Sequence, residues 1–413
     1  MRISSQQYYT MNVSAMSDQQ AQLSQLYQQI SSGVSLATPS DNPLGAAQAV
    51  QLSAVGTSLS QYTSNQSTAL TSLQQEDTTL TSVNNVMQNI HTLVLRAGDG
   101  SLNDGDRGSI ATELTSLRSQ LVTLANSTDS AGNYIFAGFQ STAQPFTENS
   151  SGTVVYAGDA GNRTVQMTDT HAVQAGDNGI TVFQSVASIG TSGIPAGAST
   201  NGGTGVIGTV STNNPVDPTN AYTYTVSFDG TAGSAASTYT VSAYDPASGT
   251  TTTSASQPFS AGTAITLGGQ SVAISGAPNG GDSFSVTPAV QQSTDVFANL
   301  NQLITTLQTP IQSGPVAAAN YQNAVNSSMT QLENTMNNIT TVQASVGGRE
   351  QEVQALQTVT QTNTLQNSSD LADLTQTDLT KTIGKYTMEQ ASLQAAQQAF
   401  VKIQGMTLFQ YLN

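Results

Sequence analysis

His91 and His171 are the two histidines of a 413-residue chain that has no cysteine, so the material for nucleophilic, redox or transition-metal chemistry is thin. Neither histidine has a serine or carboxylate at a spacing that builds a catalytic set, and each reads as a structural or solvated side chain. Asp99, Asn103, Asp104 and Asp106 superficially suggest a calcium loop. That loop requires glycine at its sixth position and a bidentate glutamate at its twelfth, and counting from Asp99 gives Asp104 and Ile110. The stretch 98–108 is therefore expected to be a turn between helices, with Asp106 capping the second. Gly203-x-Gly205-x-x-Gly208 spells a dinucleotide fingerprint, but it lies in low-complexity sequence without the preceding strand and following helix that cradle a phosphate. No enzyme, cofactor or metal is expected.

Composition narrows the partners as well. Nine Lys+Arg against 25 Asp+Glu give a net charge of −16, and charged residues are only 8% of the chain, about a third of the usual share. Such a surface repels nucleic-acid phosphates and anionic lipid heads, so neither is an expected partner. No apolar run approaches the ~18 residues of a membrane span. The opening Met1-Arg2-Ile3-Ser4-Ser5-Gln6-Gln7-Tyr8 lacks the basic and apolar regions of a cleaved secretory signal. With 37% hydrophobic residues the chain can build cores, and its length suggests roughly two to four domains.

The elements are helical at both ends and extended in the middle. From Leu59 the apolar positions run through Tyr62, Ala69, Leu73, Leu80, Val83, Met87, Ile90 and Val94, with Gln66 and Glu76 as polar interruptions. This heptad-like seam predicts a helix of roughly 38 residues, about 57 Å long. The seam resumes after Gly98 as Ile110, Leu114, Leu117, Leu121 and Leu124, and the two helices are expected to pack antiparallel. Toward the other end, Val296, Leu300, Leu303 and Leu307 form a stripe that Pro310 and Pro315 break, and Val325, Met329, Leu332, Met336, Ile339 and Val346 then repeat the spacing. Stripes this narrow are stable only when bundled, so 46–130 and 295–365 need each other.

A second pair of seams lies at the extreme ends. Tyr9, Met16, Leu23 and Ile30 are spaced by sevens with Leu26 alongside; Gly33 stops the run, and Pro39 and Pro43 are expected to keep helix away. Ile383, Tyr386, Leu393, Phe400 and Ile403 form the matching stripe, followed by Leu408, Phe409 and Leu412. Chain ends normally fray in solvent, so apolar seams there need a cover. Between the helical segments, 141–291 is rich in Gly, Thr and Ser with alternating runs such as Tyr222–Val226 and Ser283–Val286. Ile265–Leu267, Gly268-Gly269 and Val272–Ile274 read as a tight hairpin. The stretch 190–220 reads as a flexible link between two small β units. The fold class is α+β: a discontinuous multi-helix rod with a mainly β insertion.

Arg2-Ile3-Ser4-Ser5, Gln28–Gly33 and Pro39-Ser40-Asp41-Asn42-Pro43 resemble the N-terminal signature of the bacterial flagellin superfamily. Ser369–Leu374, Leu393-Gln394-Ala395 and Leu408–Leu412 resemble its C-terminal signature, and Val346-Gly347-Gly348-Arg349 its C-terminal core-helix motif. Gly132–Phe139, Pro145-Phe146 and Val155–Asp159 are closer to the hook-associated branch than to filament flagellins. Val34-Ser35 stand where the family usually has basic residues, and Asn42 where it usually has Asp.

The resemblance implies an extracellular, non-enzymatic protein of the bacterial flagellum, exported by the type III route without a cleaved signal. Residues 1–43 with 366–413 would form a terminal helical axial core. Residues 44–140 with 292–365 would form the helical rod, and 141–291 an outward-facing β domain. Implied partners are further copies in a junction ring, a neighbouring hook-associated protein on the hook side and flagellin on the filament side. A cytoplasmic export chaperone on the C-terminal helix would cover Phe400, Ile403 and Leu412 beforehand. The alternatives are a filament flagellin that polymerises indefinitely, and a surface adhesin whose β domain rides on the flagellum.

Overall fold

The computed structural model describes residues 5–36, 38–40, 42–149, 152–187, 189–311 and 314–409. Its helices are α1 (Ser5–Ser32), α2 (Pro43–Ala97), α3 (Asp104–Ala125), the single-turn α4 (Gly179–Phe183), α5 (Val296–Gln308), α6 (Pro315–Thr375) and α7 (Leu379–Phe409), with short antiparallel sheets between α3 and α5. The class is α+β. No helix among the described residues is long and apolar enough to cross a membrane.

Two compact units emerge, one from Met1–Ser64 with Leu356–Asn413 and one from Asn65–Ala355. The dividing points fall inside α2 and α6, beyond the 43/44 and 365/366 points drawn from the seams. Burial accounts for the position: among the described residues, the first buried apolar side chain is Ala69 and the last is Val353.

In the first unit, α1 ends at Gly33, whose φ of +70° is a left-handed value that glycine adopts without a Cβ clash. The turn after it is pinned to the turn between α6 and α7: Ser35 N donates to Thr375 O at 2.8 Å, and Thr377 N to Gly33 O at 2.9 Å. Pro43 does not keep helix away. It is the first residue of α2, where a missing N–H removes nothing the helix needs. Asn42 Oδ1 accepts from Gly45 N at 3.0 Å, so the amide does the capping that the usual Asp would do. For this reason α2 has 55 residues rather than the roughly 38 that the seam alone predicts.

The second unit holds the apolar core. Leu73, Leu80, Val83, Met87, Ile90, Leu114, Leu121 and Ile339 are fully buried, Met329 and Leu332 nearly so, and Met336 is half-buried. Helix α5 packs on α3, burying Val296, Phe297, Leu300, Leu303 and Leu307. Phe146 and Phe183 meet edge-on at 5.4 Å, and Phe146 meets Phe297 at 5.2 Å. These rings lock α4 and the first hairpin onto the helices, in geometries that favour aromatic pairs. The cap of α3 is Asn103, not Asp106: Asn103 has extended φ/ψ and its Oδ1 accepts from Asp106 N at 2.9 Å. Asp106 sits inside the first turn, favourable to the helix dipole but too late to cap it.

The inserted region forms a six-stranded antiparallel sheet in the order Thr250–Thr253, Thr238–Asp245, Thr223–Asp229, Ser283–Thr287, Ile194–Gly197, with Gln257–Pro258 also on Thr238–Asp245. A four-stranded sheet is built on the hairpin Ala264–Leu267/Gln270–Ser275, turned at Gly268-Gly269. Both sheets share a core of Val226, Phe228, Leu267, Ile274, Phe284 and Val286. The 190–220 stretch, expected to be a flexible link, is built into these sheets at Ile194–Gly197, Val206–Ile207 and Ser211–Thr212. Its glycines permit close packing that low complexity concealed. Asp282 accepts from Gly202 N at 2.8 Å and Gly203 N at 3.0 Å, and a Cβ on Gly203 would lie 2.5 Å from Asn279 N.

Candidate assembly surface

Helices α1 and α7 pair along their length. Tyr9 stacks on Phe400 with ring centroids 5.4 Å apart, and Tyr27 on Tyr386 at 6.5 Å. In α1 the partly covered positions Asn12, Met16, Gln19, Leu23, Leu26 and Ile30 step by fours and threes. In α7, Tyr386, Glu389, Leu393, Ala396 and Phe400 do the same. This is coiled-coil spacing, and it explains why two helices so poor in branched apolar residues meet at all.

The pairing leaves both helices largely uncovered. Among the described residues of this unit no apolar side chain is buried. Met16, Leu23, Leu26, Ile30, Tyr386, Leu393 and Phe400 are half-buried, while Tyr9 and Ile383 are each 47% exposed. The side chains of Ile403, Leu408 and Phe409, and the whole of Leu412, lie outside the described residues. Met11, Tyr27, Met388 and Val401 are also exposed, Tyr27 even though its ring meets that of Tyr386. These four escape a sequence reading that assigns one seam to each helix; the signal is that they fall between the heptad positions. Asp18 is the one charged residue of α1, whose polar surface is otherwise uncharged Gln, Ser, Asn and Thr.

The second unit carries polar fixings that position the inserted region. Asn323, Asn326, Asn334 and Asn338 share one face of α6, and each binds main chain of the insertion. Asn323 Oδ1 accepts from Ile207 N at 2.8 Å, Asn326 Nδ2 donates to Ile207 O at 2.8 Å, and Asn334 Nδ2 donates to Ser192 O at 2.8 Å while its Oδ1 accepts from Ser192 N at 2.9 Å. Asn338 Nδ2 reaches Thr181 O at 2.8 Å and Val182 O at 3.1 Å. In the sequence these residues look like a solvated helix face, yet the 3-8-4 spacing keeps them aligned. Asn338→Ala leaves the buried Val182 carbonyl and the half-buried Thr181 carbonyl without that donor, which costs about 1–3 kcal/mol. The expected result is a lower melting temperature and faster proteolysis around 178–192, both read on the purified protein.

Arg349, from the Val-Gly-Gly-Arg motif, pairs with Asp177, whose N–H donates to Glu76 Oε1 at 3.1 Å. Glu76 is 2% exposed. Burial, then the Asp177 carboxylate, push its carboxyl up to about 8, with Arg349 opposing. His91 lies 3.7 Å from Glu333, and His171 Nε2 lies 2.6 Å from Glu352 Oε1, so both histidines tie elements together. Among the described residues no group of three or more His, Asp or Glu is placed to hold a metal ion.

Residues 3–141 match the family model described as the bacterial flagellin N-terminal helical region. Flagellar hook-associated protein 3 of Salmonella typhimurium is 28% identical over 410 residues, covering 99% of each chain. The crystal structure of hook associated protein-3 from Legionella pneumophila is similar with a TM-score of 0.67 and 27% identity, over 78% of this chain and 98% of that one. That of the flagellar junction protein FlgL from Legionella pneumophila gives 0.63 and 25%, over 80% and 100%.

Proposed function

The chain belongs to the hook-associated protein 3 family of the flagellin superfamily, and we propose on that premise that it is a structural axial protein of the bacterial flagellum that joins hook to filament. The observation that carries the mechanism is the α1–α7 pair, whose unit has no buried apolar side chain among the described residues. A monomer leaves Met11, Tyr27, Met388 and Val401 in water. A ring of copies covers them, and each apolar side chain fully covered contributes about 1.5–3 kcal/mol to assembly. Scarce charge on these helices removes the like-charge repulsion that closely stacked copies would otherwise meet.

The protein acts by polymerising, not by catalysis. One end of the ring meets a neighbouring hook-associated protein and the other meets flagellin, so that one helical lattice is adapted to another. Before export through the flagellar type III route, a cytoplasmic chaperone covers the C-terminal helix, where Phe400 and the apolar residues beyond it would otherwise drive premature association. The assembly residues are those of the two terminal seams, from Tyr9 to Ile30 and from Ile383 to Leu412. Electron microscopy of a mutant lacking the protein is expected to show hooks without filaments, with flagellin released into the medium. Filaments of normal length on such hooks would refute the junction role.

A further inference from the structure

The first unit carries an open groove of about 520 Å³ whose walls come from α2 and α6. On the α2 side it is lined by Ser53, Gly56, Thr57 and Ser60, and Asn367 and Leu371 face them from α6. No charged side chain lines it. Asn367 sets this groove apart from an ordinary furrow between helices. It is 8% exposed, and its Oδ1 has no hydrogen-bond partner among the described residues. Gly56 leaves room for the amide: a Cβ there would stand 3.0 Å from Asn367 Nδ2. A buried amide left unpaired weakens an isolated chain, and an apolar side chain of similar size would not carry that penalty.

We propose that this groove seats α1 of a second copy, with the Asn367 amide hydrogen-bonding a side chain of that helix and fixing its register. The inference rests on the ring of copies proposed above and names a surface on which neighbouring copies meet. Three properties of the walls select the guest. Small side chains on α2 let a third helix lie close to α2 and α6. A charged guest would lose its water with no counter-charge in the groove. The amide asks for a hydroxyl or a second amide, and a half-turn of its plane presents either its oxygen or its nitrogen with little change of shape. Helix α1 meets all three conditions. Opposite the positions that face α7 it carries Ser14, Ser17, Ala21, Ser24 and Gln28, spaced 3-4-3-4 and all exposed. Their exposure also means that α1 of the same chain does not fill the groove, so the guest helix has to come from another copy. Helix α7 suits the groove less, since Met388 is bulky and Lys381, Lys385 and Lys402 are charged. A single polar residue in a helix seam sets register and the number of neighbours at a cost in stability, and that is the role assigned to Asn367.

The test uses full-length protein and hook tips. Ser53→Cys places a thiol at one end of the groove, and it is the variant's only thiol because the natural chain has no cysteine. Labelled there with a maleimide benzophenone, added to hook tips and irradiated, the protein should crosslink to α1 of a second copy, identified by mass spectrometry, and should not do so before assembly. Incorporation without that crosslink, or with crosslinks only to flagellin, to the hook-side protein or to another segment of the second copy, overturns the proposal and leaves the junction role standing. Failure of the unlabelled wild type to join hook tips overturns the junction role and the proposal with it. A second variant separates register from folding. Asn367→Leu keeps the size and removes the amide, so it should melt no lower than wild type yet incorporate about tenfold less or worse. Lower melting together with normal incorporation would make Asn367 a purely structural residue and the proposal wrong.

Discussion

Deleting residues 381–413 leaves a soluble monomer that no longer joins the hook tip. The cut removes nearly all of α7, the stacking partners of Tyr9 and Tyr27, and the cover for Met16, Leu23, Leu26 and Ile30. Helix α1 is then a lone stretch of 28 residues, rich in Gln and Ser, with no tertiary face to hold it, and it frays. The core of the unit Asn65–Ala355, from Ala69 to Val353, lies within that unit and not in the deleted segment. The truncated protein should therefore show the same main thermal transition as full-length protein, with a loss of helical signal confined to the ends. Incorporation, scored by electron microscopy of hook tips, should fall to background. Normal incorporation by the truncated chain would rule out the terminal seams as the assembly surface.

Arg349→Ala is the substitution expected to cost most within the second unit. Asp177 is 8% exposed and would be left as an uncompensated buried charge beside Glu76; losses of about 3–5 kcal/mol follow when one partner of such a pair is removed. The lost guanidinium also contacts Gln174 O at 3.4 Å, so the loop carrying Gly176 and Asp177 should loosen. The pH dependence has a definite sign. The Glu76 carboxyl is raised in the folded state from 4.5 to about 8. Below 4.5 folded and unfolded chains are both protonated and the stabilisation tied to this proton is complete. Between the two values only the folded chain keeps the proton, so this stabilisation declines as pH rises and is gone above about 8. Wild-type protein should melt progressively lower from pH 5 to pH 8.5 on account of this group, and Glu76→Gln should flatten that slope. Arg349→Ala, lacking the charge that opposes the shift, should extend the decline to higher pH. A wild-type melting profile identical to that of Glu76→Gln would contradict the assignment.

The helical seams were legible because burial of one stripe leaves a period that survives in the sequence: Leu73, Leu80, Met87 and Leu121 stand where the pattern put them and are buried. The hairpin at Gly268-Gly269 was equally plain, since few turns other than a tight one use that pair between alternating strands. Polar residues were harder. Glu76 reads as an interruption of its seam but is buried, and only the distant Asp177 and Arg349 explain how. Asn334 and Asn338 read as surface, because nothing local shows that a chain segment some 150 residues away would offer them main-chain groups. The α3 cap went to Asn103 over Asp106 since both can cap, and the backbone conformation that decides between them is set by the preceding turn. In 190–220, glycine reads as flexibility, although at Gly203 and Gly205 it answers close approach of Asn279 and Phe284. Met11 and Tyr27 lie off the heptad register, and their exposure becomes meaningful only once α1 and α7 are seen to pair without burying them.

The most direct test of the junction role is to add purified full-length protein in excess to isolated hook tips that carry the neighbouring hook-associated protein, and to measure the added length by electron microscopy. A junction protein adds a short segment whose length stops growing as protein concentration and time increase, and tips so capped then accept flagellin. Continued elongation into long homopolymers would contradict the junction role and identify a filament subunit instead.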